Sequence, residues 1–289
     1  MLYHKPVTQR NRQDWACRDG FKPFAGVLDK ASVCGSWSIL WTLRLGYSAH
    51  DRDGVISSGS SEGEFGMADY VQQRKNMVES QVRPSDVTDR RIMRAMLEVP
   101  REQFVPTALR PLAYMDQQIG LTKEGPGGEP RGLLEPRILA KMVQLAEIGP
   151  GDVVLDVGCG PGYSAALLGR LAETVVALEC DAELGAMAAE VLPNLGFDNV
   201  AVVSGPLEAG FADEGPYDAI FVGGRIEDMS EGLLDQLKDG GRLVAVRGTP
   251  VHARAVIWRR IGANFDVKEV FEAAAPLLPG FAKAKSFAF

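Results

Sequence analysis

The stretch Val153-Val154-Leu155-Asp156-Val157-Gly158-Cys159-Gly160-Pro161-Gly162-Tyr163-Ser164 constrains this chain more than any other. Its first five residues are apolar except for Asp156, a run too short for a helix, and they predict a buried strand. The glycines that follow let the backbone turn tightly and let a ligand approach where a Cβ would clash. A helix opening at Ser164 would offer unpaired amides to a negative group. Strand, glycine turn and helix in that order open a βαβ unit, so the chain must build an α/β sheet around it.

The rest of the sequence agrees. Short apolar runs at Thr174–Leu178, Val200–Val203, Asp218–Val222 and Arg242–Val246 predict further strands. Helical patterns separate them at Ser164–Ala172, Glu183–Leu195 and Met229–Leu237. Such alternation implies a buried parallel sheet with right-handed crossovers. Ala255–Arg259 and Val267–Glu272 have no long helix between them and predict an antiparallel pair closing the sheet. The expected fold is therefore α/β, a Rossmann-like doubly wound, mostly parallel sheet with a C-terminal antiparallel strand pair, preceded by a helical N-terminal subdomain.

Upstream, residues 69–115 read as helical, with Ile92, Met96 and Val99 at helical spacing and Asp86 or Thr88 as the cap. Pro100 and Pro106 break that region, Gly125–Gly132 reads as a loop, and a helix follows over Glu135–Ala146. Residues 1–66 lack periodicity and are expected to be a disordered extension, or a non-native one that is not made because translation starts at Met67; a small docking element around Trp37–Trp41 is the alternative. The expected division is then 1–66, a helical substrate-side region over 67–148, and a ligand-binding domain over 149–289.

A formal net charge of −7 argues against a general nucleic-acid binder, which needs a basic face to release counterions. Cys17, Cys34, Cys159 and Cys180 show neither metal-site spacing nor a disulfide framework, so reduced thiols and a cytoplasmic location are expected. Trp37–Tyr47 is too short to span a membrane and is interrupted by Arg44, so no membrane association is expected.

The spacing within the turn discriminates among ligands. A dinucleotide fingerprint needs glycine where Tyr163 stands, which counts against a nicotinamide oxidoreductase. A phosphate loop needs a Gly-Lys-Ser/Thr ending that is absent. What remains, G-x-G-x-G after an acid, resembles motif I of class I methyltransferases. That resemblance implies S-adenosylmethionine as cofactor, with Gly158, Cys159, Gly160, Gly162 and Tyr163 wrapping its methionine part and Asp156 near its ammonium. Cys159 fits as a small residue packed beside the cofactor, because no base is placed to make it a nucleophile. Glu179 ends the next strand about 20 residues beyond the turn, where an acid accepts hydrogen bonds from ribose hydroxyls.

Residues 67–289 resemble the protein-L-isoaspartate O-methyltransferases. The resemblance rests on Val87-Thr88-Asp89-Arg90-Arg91-Ile92 and on Val99-Pro100-Arg101-Glu102-Gln103-Phe104-Val105-Pro106, together with the glycine turn. Pro216-Tyr217-Asp218-Ala219-Ile220 and Gly240-Gly241-Arg242-Leu243-Val244 extend it. It implies methylation of the carboxylate of isoaspartyl residues in damaged proteins, which would be the partners; it leaves the oligomeric state open. A carboxylate is already ionised at neutral pH, so such a reaction requires no general base.

Two places depart from the family pattern. Leu134 stands where the family's Thr-Ile-Ser element has its serine, which leaves the catalytic residue unassigned. Gly205-Pro206-Leu207 replaces a Gly-Asp-Gly element that borders the adenine, and Leu207 is expected to pack on the ring instead. Arg131 and Arg137 are candidate cations for an acceptor carboxylate. The alternatives are a same-fold methyltransferase with another acceptor and a cofactor-binding protein that has lost catalysis.

Overall fold

The computed structural model describes residues 69–124 and 129–283, all within one compact unit, Ser61–Phe289. The expectations for residues 1–66, including the start at Met67 and the element around Trp37, lie outside the described residues. Among the described residues, no helix is long and apolar enough to cross a membrane and no His/Cys/Asp/Glu group is arranged to hold a metal.

Helix α1 (Tyr70–Met77) starts where the Asp69 side chain accepts from the Gln72 amide, and runs through one wide π turn at Val78–Val82. The chain then turns at Arg83–Ser85 and ends that segment on Asp86, whose φ of 63° lies in the left-handed region. Helix α2 (Arg90–Glu98) is capped by Asp89, which accepts from the Arg91 amide, rather than by Asp86 or Thr88. Asp89 has the extended backbone a cap needs, and the Thr88 amide is spent on Gln144. Between Pro100 and Ala113 only short 3₁₀ segments form, at Arg101–Phe104 and Thr107–Leu112, because prolines interrupt the backbone ladder.

Strands β1 (Ile119–Gly120) and β2 (Gly132–Leu133) pair antiparallel, so the expected loop is a hairpin whose base is hydrogen-bonded. Helix α3 (Pro136–Leu145) begins on Pro136, where the missing amide costs nothing, and buries Ile138, Leu139, Met142 and Val143.

The main sheet follows in chain order: β3 (Val153–Val157), α4 (Tyr163–Gly169), β4 (Thr174–Glu179), α5 (Ala182–Asn194), β5 (Val200–Ser204), β6 (Tyr217–Ile226), α6 (Glu231–Leu234), β7 (Leu237–Gly248), β8 (Ala253–Ile261) and β9 (Asn264–Glu272). Its order is β5-β4-β3-β6-β7-β8-β9, with β3 to β7 parallel and β8 and β9 antiparallel. The doubly wound sheet and its antiparallel closing pair are thus as expected. The helix expected over Met229–Leu237 contracts to Glu231–Leu234, because Leu237 is drawn into the sheet opposite Tyr217.

Alternation along the strands sorts the core. Leu155 and Val157 on β3, with Val176 and Leu178 on β4, pack into one cluster; Val154, Val175 and Ala177 pack into the other, with the helical region and α4. By the same period Asp156 and Glu179 fall on that second face. The cluster runs from Met77 to Ala275, so the helical region and the sheet share a core. The chain order reverses between β3 and β6, and a crevice at such a switch point, outside the carboxyl ends of the strands, is where open α/β sheets bind ligands.

Candidate active site

The turn after β3 is fixed to its neighbour: the amides of Gly158 and Cys159 both donate to the Leu178 carbonyl, at 2.9 and 3.2 Å. Gly158, Gly160 and Gly162 have φ of 75°, 58° and 99°, a region closed to most side chains. At Gly162 a Cβ would also come within 3.0 Å of Leu192 and 3.2 Å of Ala188, so glycine lets α4 sit close to α5. At Gly160 the reason differs. A Cβ there would fit without a clash, in ordinary contact with the Gly132 carbonyl at 3.8 Å, so it would occupy the gap between the turn and Gly132.

Asp156 is fully buried and accepts one hydrogen bond, 2.6 Å from the Ser164 hydroxyl, while its Oδ1 has no protein partner. Burial pushes its carboxyl up to about 7; the Ser164 bond opposes this and the nearby Glu179 charge adds to it. Cys159 is buried too, and burial followed by the charges of Asp156 and Glu179 raises its thiol well above the ordinary value. A protonated thiol is a poor nucleophile, which agrees with a packing role.

Glu179 is buried and fully engaged. Its carboxylate accepts from the amides of Gly160, Cys180 and Asp181 at 2.8–2.9 Å, and from both terminal nitrogens of Arg131 at 2.8 Å. Although burial pushes its pKa up, the Arg131 pair and these amides hold it below the usual carboxylate value. Arg131 is 5% exposed, so this is an interior ion pair. Arg131 is therefore not free to take an acceptor carboxylate. Arg137 is half exposed and bonded to Glu135 beside it, a surface arrangement.

Arg131 reaches Glu179 from a strap, Glu129 to Leu134, that crosses the carboxyl end of the sheet. The Pro100–Pro106 run holds the far end of that strap. Buried Arg101 donates to the carbonyls of Ala113 and Leu134, each at 2.7 Å, and lies 4.8 Å from the Tyr163 ring centroid. Glu102 in turn accepts from Tyr114 and Arg74. Phe104 packs edge-on against Tyr163 at 5.5 Å, so Tyr163 faces the helical region. Between strap and turn lies a cavity of about 20 Å³ lined by Leu133, Leu134, Gly158, Cys159, Tyr163 and Gly223, among others. Leu207 is completely buried and lies under Gly158, 3.5 Å from where a Cβ there would be.

Sequence reasoning missed two charged groups around the crevice, Glu129 and Arg225, and the pairing of Arg131 with Glu179. The pairing of Arg131 with Glu179 spans 48 residues and that of Glu129 with Arg225 spans 96, so neither leaves a local pattern. Arg225 follows the apolar core of β6, and its position at a strand end beside Gly223-Gly224 is the one signal that could have flagged it.

The order of strands and the acid-led glycine turn define a methyltransferase of the S-adenosylmethionine class. A family model described as Protein-L-isoaspartate(D-aspartate) O-methyltransferase matches residues 72–272. A protein-L-isoaspartate O-methyltransferase of Koribacter versatilis is 38% identical over 194 residues, spanning 67% of this chain and 85% of that protein. One from Herpetosiphon aurantiacus is 38% identical over 197 residues, 68% of this chain and 85% of that protein. A solved structure of a protein-L-isoaspartate O-methyltransferase aligns with a TM-score of 0.62 at 25% identity, over 72% of this chain and 66% of that one. A Plasmodium falciparum structure of the same description, in complex with S-adenosyl-L-homocysteine, aligns at 0.60 over 72% of this chain and 97% of that one; at 19% identity it shows the fold. The chain belongs to the protein-L-isoaspartate O-methyltransferase family, whose members are S-adenosylmethionine-dependent protein carboxyl methyltransferases.

Proposed function

We propose that this chain binds S-adenosylmethionine in the turn between β3 and α4 and transfers its methyl group to a carboxylate on a protein, with isoaspartyl residues as the acceptor. The observation that carries this reading is the pairing of the three left-handed glycines with the unpartnered buried Oδ1 of Asp156. A buried oxygen without a donor is costly, and the ammonium of a bound amino acid moiety would satisfy it. Gly160 keeps a side chain out of the gap between the turn and Gly132, the gap a ligand would enter.

The residues present therefore suit the methionine end of the cofactor. The ribose end demands a rearrangement. Glu179 can accept ribose hydroxyls only after Arg131 withdraws, and a ligand of this size needs several hundred Å³ where the cavity beside the turn holds about 20 Å³. Both requirements are met together if the strap from Glu129 to Leu134 lifts.

Bound S-adenosylmethionine supplies a methyl group activated by a sulfonium. The acceptor carboxylate attacks as the anion it already is, so no residue has to remove a proton. Asp156 and the glycine turn would hold the cofactor, which would supply the methyl carbon and depart as a neutral thioether. Buried Leu133, Leu134 and Tyr163 exclude water, and Arg101 fixes the Leu134 carbonyl, so this chain contributes positioning rather than acid–base chemistry. The partners are proteins carrying damaged aspartyl residues, and the location that suits them is the cytoplasm.

A second reading, a methyltransferase of the same fold for another acceptor, is favoured by one observation: buried Leu134 offers no hydroxyl. Methyl transfer from labelled S-adenosylmethionine to an isoaspartyl peptide and to its aspartyl twin separates the two. Selective labelling of the isoaspartyl peptide is expected. Cofactor binding without labelling of either peptide would move the acceptor elsewhere.

The pH dependence of cofactor affinity tests Asp156. With its carboxyl at about 7, Asp156 is protonated below that pH and must release a proton to receive an ammonium. Affinity for S-adenosylhomocysteine is expected to weaken about tenfold per unit as pH falls below 7, and to level off above it. Stability follows the opposite sign. The folded state holds a proton that the unfolded chain loses near pH 4, so Asp156 favours the folded state less as pH rises from about 4 to 7. Calorimetry in buffers of different ionisation enthalpy reads the proton directly, and Asp156→Asn should abolish the release. A pH-independent affinity would remove Asp156 from the ammonium site.

A further inference from the structure

The structure assigns the seat of the acceptor carboxylate to Arg225, a site that is capped by the strap's own Glu129; this assignment rests on the methyl-transfer reading above. Arg225 lies at the carboxyl end of β6, the strand beside β3 across the switch point. Two residues before it, Gly223 is so close to the turn that a Cβ would come within 2.8 Å of the Gly158 carbonyl. Arg225 is thus a cation set next to the place where the turn would hold the reacting methyl.

Its environment is that of a receptor for a carboxylate. The side chain is 2% exposed, yet it lines a cavity of about 250 Å³ between Glu129–Pro130 on the strap, Pro250, and Ala274–Ala275. Three of its four polar contacts belong to the framework: Nε donates to the Ala275 carbonyl at 3.2 Å, and Nη1 to the Gly248 carbonyl at 3.1 Å and to Glu227 at 3.4 Å. Glu227 is itself held in place, since its other oxygen accepts from the Lys283 amide at 3.0 Å. The fourth contact is different. Nη2 reaches into the cavity and donates to Glu129 at 3.3 Å, and among the described residues Glu129 has no other partner.

Glu227 stays to balance the guanidinium, but Nη2 keeps no acceptor once Glu129 leaves, and a buried charged donor without a partner is costly, so Nη2 draws another carboxylate. Glu129 is 36% exposed and can return to water at little cost. Exchanging it for the acceptor's carboxylate keeps the local charge unchanged. The exchange also supplies what Leu134 cannot, a hydrogen-bond donor for the acceptor. Glu129 and Arg131 are on the same strap, so the movement that frees Glu179 for ribose would expose Arg225 as well. The two ends of the site open together.

The test uses the full-length protein and a fluorescent peptide with one isoaspartyl residue, its binding followed by anisotropy without S-adenosylhomocysteine, so that Glu129 still caps Arg225. Glu129→Gln, a half-exposed change that keeps the shape of the strap, should bind the peptide about fivefold more tightly by removing the competing carboxylate. Arg225→Lys should bind it about tenfold more weakly and raise the peptide KM in the transfer assay by a similar factor, with kcat altered much less. Affinity for S-adenosylhomocysteine should rise in both variants, by about twofold or more, because each loosens the strap that has to lift. If Glu129→Gln binds the peptide as wild type does, the assignment of Arg225 is overturned, whether or not Arg225→Lys folds. If the wild-type protein binds no S-adenosylhomocysteine, the methyl-transfer reading itself fails and takes this one with it. A protein that binds cofactor and methylates the peptide, but ignores both substitutions, retains the function and loses only the seat.

Discussion

Arg131→Ala is expected to bind S-adenosylhomocysteine at least about tenfold more tightly than wild type, roughly 1.4 kcal/mol, while melting at a lower temperature in the absence of ligand. The two effects have one origin. The guanidinium holds Glu179 through two bonds of 2.8 Å inside the protein, and a ligand that needs the same oxygens must break both. Removing the side chain removes that competition. It also leaves a buried carboxylate that keeps its three amide donors but loses its counter-charge, for about 2–3 kcal/mol. Isothermal titration together with thermal melting reads both quantities. An unchanged or weaker affinity would mean that Glu179 and Arg131 form a permanent structural pair and that ribose is held elsewhere.

Glu179→Ala should be the more damaging half of the pair. It strips Arg131 of its carboxylate and deprives the amides of Gly160, Cys180 and Asp181 of their acceptor in one step. Breaking a buried pair in this way costs about 3–5 kcal/mol, which for a domain of this size corresponds to a fall in melting temperature of roughly 10 °C. Because the Gly160 amide hangs on Glu179, the turn loses its anchor and cofactor binding should disappear as well. The two substitutions therefore lower stability together but move cofactor affinity in opposite directions. A purely structural ion pair would weaken binding in both.

Much of this site could be read in the sequence because its signals are local. Val153 to Ser164 announces strand, turn and helix within one window, and the period of two along β3 and β4 places Asp156 and Glu179 on one face. The paired tail strands were legible from the absence of a helix between them. Other features depend on distant partners. Met229–Leu237 has helical periodicity, but the sheet claims Leu237 and leaves one turn of helix. The cap of α2 falls on Asp89 because Gln144, on α3, takes the amides of Thr88 and Asp89. Arg131 read as a candidate for an acceptor carboxylate because no local pattern tells a free arginine from one paired across 48 residues. For Arg225 the same distance concealed Glu129, and with it the suggestion that an acceptor site is present despite Leu134.

The most direct test of the account is calorimetric titration of S-adenosylhomocysteine into the full chain, run beside Gly160→Asn. Asparagine tolerates the left-handed conformation that Gly160 adopts, so this substitution keeps the turn and places a side chain in the gap between it and Gly132. One saturable site in the wild-type protein, lost in a variant that melts normally, is the expected result. A wild-type protein that gives no binding, or a variant that binds as tightly as wild type, would contradict a cofactor seated in this turn.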